Sequence, residues 1–160
     1  MIDLLSLAFS SFALIFPAFI ANSVPVLARG KRPLDFGRSM PDGRRVLGDG
    51  KTFEGFGAGL FMGTLTGAIV GYPIHSFLLA LGALVGDLVG AFIKRRAGIP
   101  RGGPAPILDQ LDFVAGALLF VYPIYHFTIE QVIFIIVVTP PIHLFTNFVA
   151  YKLGLKSNPW

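Results

Sequence analysis

From Leu4 to Ala28 the chain carries no charged residue. That run exceeds the ~20 apolar residues a helix needs to cross a bilayer. Comparable apolar runs cover 55–72, 77–93, 109–128 and 131–150, with polar segments between them. Lipid offers backbone groups no hydrogen-bond partner, so such runs cross as helices or in closed barrels, and runs this long and continuous specify helices. Residue composition agrees: 54% hydrophobic and only 14% charged, the reverse of a soluble domain's balance. The expected fold class is an all-α integral membrane protein, one domain over 1–160 with five transmembrane helices.

Charge placement orients these helices. Asp3 is the only early charge, whereas Arg29, Lys31 and Arg32 follow the first run, so that run reads as a retained span rather than a signal peptide. With five spans, all 13 Lys and Arg fall on one side: in the loops 29–54 and 94–108, and after residue 150. Basic residues stay on the cytoplasmic side, which puts the N-terminus outside and the C-terminus in the cytoplasm. The net charge of +4 therefore marks a membrane face and calls for no nucleic-acid partner. With no cysteine, disulfides, thiolate catalysis and cysteine-held metals are excluded.

The polar residues that remain are concentrated at the inner edge. Asp87 lies inside the third span, about 10 Å of helix before Lys94, and an acid there requires a base or a cation. A protonated Asp87 in an interhelical hydrogen bond is the alternative. After Lys94, Arg95, Arg96 and a Gly/Pro-rich loop, Asp109 and Asp112 stand three positions apart and share a helix face. Three carboxylates and a basic cluster at a membrane edge suit a divalent cation and a polyphosphate. Helix N-termini also favour carboxylates simply as caps. In the first polar loop, Gly48-Asp49-Gly50-Lys51-Thr52 precedes a helix. Arg45 stands where a phosphate-binding P-loop needs glycine and no strand precedes, so a Walker fold is rejected. The backbone N–H groups and Lys51 still favour an anion, or the turn is an ordinary glycine-rich loop.

Three further features are read on their own terms. Asn22 and Pro25 form an Asn-x-x-Pro near the end of the first span, as a kinked, hydrogen-bonded helix or part of a polar site. The series Gly59, Gly63, Gly67, Gly71 repeats every four residues and predicts a smooth helix face for close packing. Pro140-Pro141 predicts a break in the fifth span, with His143 and Asn147 on one face beyond it, either packed or lining the same polar cavity.

Gly86-Asp87, Lys94-Arg95, the loop containing Gly98, Pro106 and Asp109-x-x-Asp112 together resemble the signature of CTP:phosphatidate cytidylyltransferases. The archaeal relatives, the CDP-archaeol synthases, are closer. They share Asn22-x-x-Pro25, the Gly48–Thr52 turn and Leu108-Asp109-Gln110-Leu111-Asp112-Phe113. Pro100-Arg101, Ala105–Leu108, Ala91 and Gln110 depart from the bacterial and eukaryotic pattern and favour the archaeal branch. The resemblance implies transfer of a cytidylyl group from CTP to an isoprenoid ether-lipid phosphate, releasing pyrophosphate. It implies Mg²⁺ on Asp87, Asp109 and Asp112, and Lys51, Lys94 and Arg95 on phosphates, with Asp109, Asp112, Lys94 and Lys51 as the catalytic set. Substrate is expected on Asn22, Pro25, Gly48, Asp49, Gly50, Thr52, Arg95 and Arg96, with membrane lipid against the spans. A small membrane transporter and a CDP-alcohol phosphotransferase are the competing readings. The first lacks an internal repeat here, the second its longer series of spaced acids.

Overall fold

The computed structural model describes residues 3–160. It is all-helical apart from isolated bridges in the first polar loop. The helices are α1 (Leu4–Ser23), α2 (Pro25–Ala28), α3 (Phe53–Ile69), α4 (Pro73–Arg96), α5 (Leu108–Val121) and α6 (Ile129–Lys152). Three stretches are long and apolar enough to cross a membrane: Leu4–Ala28, Pro73–Arg96 and Ile129–Lys152. The helices of 17 and 14 residues, α3 and α5, rise about 25 and 21 Å, short of the ~30 Å hydrocarbon core.

Local sequence explains the helix ends. Asp3 caps α1 by accepting from the Leu5 N–H at 3.1 Å. Pro25 has no N–H for the Ala21 carbonyl, so the helix pauses at Val24 and restarts as α2. Gly71 (φ 88°) closes α3, and the Tyr72 N–H donates to the Gly67 carbonyl at 2.8 Å, a Schellman-type end. Pro73 then opens α4 at its first position, where a missing N–H costs nothing. Read from sequence alone, Pro73, His75 and Ser76 predict a tight outer turn; the helix instead starts there, and Ser76 is buried.

Two more expectations change. Helix α6 runs through Pro140 and Pro141 without ending, although the pair removes the amide donors for the carbonyls of Ile136 and Val137. The buried glycine face of α3 is Gly55, Gly59, Gly63 and Gly67; Gly71 lies beyond the helix, in the turn.

Helix α4 is central, packing on α1, α3 and α5. Its contact with α5 is backbone to backbone. A Cβ on Gly82 would strike the Gly116 carbonyl, and one on Gly116 would meet the Cα of Gly86 at 2.8 Å. A Cβ on Gly86 would strike the Asp112 carbonyl. Around this seam sit Phe113, Ala117, Val121, Leu79, Ala80, Ala83 and Ile15, all buried. Buried residues of α6 number only three of 24, Gln131, Ile135 and Thr139, and its remaining apolar surface suits lipid.

Candidate functional site

The ends of α1/α2, α4 and α6 and the starts of α3 and α5 surround a cavity of about 890 Å³. Its polar wall is built from two ion pairs. The Lys51 ammonium donates to Asp87 Oδ2 at 2.5 Å, and the Lys94 ammonium to Asp109 Oδ1 at 2.5 Å. Each pair is about three-quarters or more withdrawn from solvent, so each attraction is less screened than a surface pair. Backbone contact between Gly86 of α4 and Asp112 of α5 brings the start of α5 beside the basic end of α4, which is how Lys94 reaches Asp109. Asp109 Oδ2 also accepts from the Ala105 N–H at 2.9 Å, so this carboxylate closes the loop before α5 as well.

The expected residues divide into three groups. Asn22, Pro25, Asp49, Gly50, Lys51, Thr52, Asp87, Lys94 and Asp109 line the cavity, and so do His143 and Asn147. Asp49 is bound to Arg45 at 2.6 Å, and Thr52 caps α3 through the Gly55 N–H. Gly48 and Arg95 face a smaller space of about 270 Å³ beside the first. The expected anion-binding backbone at Gly48 is already engaged, because its N–H donates to Asp35 Oδ2 at 2.9 Å. Arg96 is engaged too: its guanidinium donates to Asp42 Oδ1 at 2.6 Å and to the carbonyls of Arg45 and Arg44.

Among the described residues no three His, Asp or Glu side chains converge closely enough to hold a metal ion by themselves. Asp87, Asp109 and Asp112 do not form the single cluster expected of them. Lysines hold the first two, while the Asp112 carboxylate accepts from its neighbour's N–H, Phe113, and lies where a Cβ on Gly90 would go. The donor chemistry still fits magnesium, which takes one or two carboxylates and completes its shell with phosphate and water.

Sequence reasoning missed two features. Asp35 organises the loop before α3: its carboxylate accepts from the Arg45 guanidinium and from the N–H groups of Gly37, Leu47 and Gly48. Burial alone would raise its pKa, but Arg45 and those N–H groups hold it well below the usual carboxylate range. The segment after α6 is the other. Leu155, Lys156, Ser157, Asn158 and Trp160 all line the cavity. Lys156 donates to Asn147 Oδ1 at 2.9 Å and to the Trp160 carbonyl at 2.7 Å, and burial pushes its pKa down against the pull of Asp109. The available signal was a lone tryptophan in a polar tail.

Comparisons with known proteins converge on one family. The family described as CarS-like, CDP-archaeol synthase, matches residues 1–74 and 67–160. The CDP-archaeol synthase of Thermococcus kodakarensis is 52% identical, covering 98% of this chain and 98% of its own. That of Pyrococcus furiosus is 50% identical, covering 94% and 96%. A solved structure of an intramembrane enzyme for archaeal membrane lipids biosynthesis superposes with a TM-score of 0.83 at 45% identity, covering 87% of this chain and 93% of that one.

Proposed function

The chain belongs to the CDP-archaeol synthase family, and from that premise we propose that the 890 Å³ cavity is where CTP meets the lipid phosphate. The chain is a multi-pass membrane enzyme of archaeal lipid biosynthesis, a CTP-dependent cytidylyltransferase. The observation that carries the site assignment is the pairing of Lys51 with Asp87 and Lys94 with Asp109 on one wall, at the basic end of the bundle.

The lipid acceptor is an isoprenoid ether-lipid phosphate, already ionised near pH 7, so no general base is required. One of its oxygens attacks the α-phosphorus of CTP in line. The new O–P bond forms as the bond to the β-phosphate bridging oxygen breaks, and pyrophosphate leaves with that electron pair. Positioning and charge neutralisation then account for the rate. Lys51 and Lys94 exchange their carboxylate partners for triphosphate oxygens. Asp87 and Asp109 are thereby released and would hold Mg²⁺, with Asp112 behind Gly90 as the third acid of the set. A magnesium ion held there would supply positive charge to offset that of the phosphate oxygens. Arg95 and Arg101 flank the Gly48–Gly50 turn and extend the positive wall for the departing pyrophosphate. Apolar surfaces between helices take the isoprenoid chains, and the cavity faces the cytoplasm, where CTP is.

Purified protein should form CDP-lipid and pyrophosphate only with CTP, lipid phosphate and Mg²⁺ all present. Asp109→Asn and Asp112→Asn should each lower kcat at least about a hundredfold with helical content unchanged. Lys94→Ala should raise the KM for CTP and leave the Mg²⁺ requirement in place. Near-normal turnover by both Asp variants would sink the site assignment. Turnover of a CDP-alcohol with a second alcohol and no CTP would indicate a phosphotransferase instead.

A further inference from the structure

Resting on that cytidylyl-transfer reading, we infer that the segment following α6 is the nucleobase subsite, with the Trp160 ring as its stacking face and the Asn158 amide as its reader of the cytosine edge. Three aromatic side chains line the cavity: Phe56, His143 and Trp160. Phe56 packs against the hydrophobic core, and the His143 ring is already stacked on Phe113, with centroids 6.2 Å apart and planes at 28°. Trp160 is 44% exposed, so its ring has surface to offer a base. The ring is also held in place, because its indole N–H donates to the Gly102 carbonyl at 2.8 Å. The side chains of Ser157, Asn158 and Trp160 carry no charge, so they suit the base, while Lys51, Lys94 and Lys156 in the same cavity suit the phosphates.

Asn158 supplies a reason for choosing cytosine. Its Nδ2 donates to the same Gly102 carbonyl at 3.2 Å. A carbonyl oxygen accepts only from the amide nitrogen, so this contact fixes which way the amide faces. One N–H and Oδ1 remain, in a fixed order. Cytosine presents a 4-amino donor beside the N3 acceptor, which that pair matches: Oδ1 accepts from the amine and the N–H donates to N3. Uracil presents the reverse order. To accept uracil the amide would have to flip, setting Oδ1 against the Gly102 carbonyl and leaving polar groups unpaired, which sites of this kind reject strongly. Gly102 itself must be glycine, since its φ is 77° and a Cβ there would lie 2.7 Å from Asn158 Nδ2.

Trp160 is the single tryptophan, so intrinsic fluorescence reports on this subsite directly. CTP and cytidine 5′-monophosphate should quench it, while inorganic tripolyphosphate at the same concentration should not. Trp160→Leu should raise the KM for CTP roughly tenfold, the scale of one base–aromatic stack, with kcat little changed, and Trp160→Phe should restore most of the loss. Asn158→Ala should reduce the CTP-over-UTP preference in kcat/KM by at least about tenfold. Equal quenching by tripolyphosphate and CTP, or a wild-type KM in Trp160→Leu, overturns the subsite while the activity stands. Wild-type protein that binds CTP and quenches but never forms CDP-lipid overturns the reaction instead.

Discussion

At the scale of single residues, the loop before α3 depends on Asp35. Its carboxylate is buried, 7% exposed, and carries the Arg45 pair together with three backbone N–H donors. Asp35→Asn should cost the loop about 1.5–3 kcal/mol, the range for hydrogen bonds to a charged group. The pH dependence has a definite sign. In the folded chain this carboxyl titrates well below the usual range, and unfolded it titrates at about 4. Its stabilisation is complete above that unfolded value and is lost as pH falls toward the folded one. Pepsin cleavage within 29–52, normalised to an unstructured peptide, should rise between pH 4 and pH 2. In Asp35→Asn it should be high throughout with no such rise; equal profiles for the two proteins would refute the role. Sequence alone singled out Lys51, Asp87, Lys94 and Asp109 as candidates, because a charge at a membrane edge has few harmless explanations, and all four line one cavity. Their pairing was not legible. Lys51 and Asp87 are 36 positions apart, and what joins them is the packing of α3 on α4.

Among the elements, α3 shows what glycine spacing does and does not specify. The four-residue repeat marked the face that packs, because only a helix brings such positions into line. It could not mark where the helix ends: Gly71 continues the repeat yet takes φ 88° in the turn. A Cβ on Gly63 would lie 2.7 Å from the Ala80 Cβ and 2.9 Å from the Pro17 carbonyl oxygen, and neither neighbour is a flexible side-chain end. Gly63→Ala should therefore push α3 away from α1 and α4 at about 1–3 kcal/mol, the usual cost of overpacking. Gly57 is the control, with nothing within 4 Å of its would-be Cβ; Gly57→Ala should be neutral or stabilise by up to ~1 kcal/mol. Thermal unfolding in one detergent measures both, and a Gly63→Ala protein no less stable than Gly57→Ala would contradict the packing. The proline pairs show the limit of local reading in the other sense. Pro25 interrupts a helix and Pro140-Pro141 do not, so a lost amide donor does not by itself decide where a helix ends.

For the molecule as a whole, the shared cavity supports a five-span reading that helix length alone does not. Three stretches meet the length and hydropathy of a span, which by itself would place the two basic loops on opposite sides. Yet Arg29, before α3, and Arg101, after α4, line the same cavity. We therefore propose that the chain leaves through α3 and returns through α4. Likewise Asp109 at the start of α5 and Asn147 near the end of α6 line that cavity, which supports a second excursion through α5 and α6. On that reading both shorter helices cross, with the bilayer thinned locally around them or polar flanks drawn inward. The chain has no cysteine, so single cysteines at Lys31, Arg101 and Glu130, all exposed, report cleanly. In intact cells an impermeant thiol reagent should label Glu130→Cys and spare Lys31→Cys and Arg101→Cys; inverted vesicles should reverse the pattern. Labelling of Lys31→Cys and Arg101→Cys from opposite faces would support three spans and would also separate the two halves of the proposed CTP site. One experiment thus tests the topology and the condition on which the site depends.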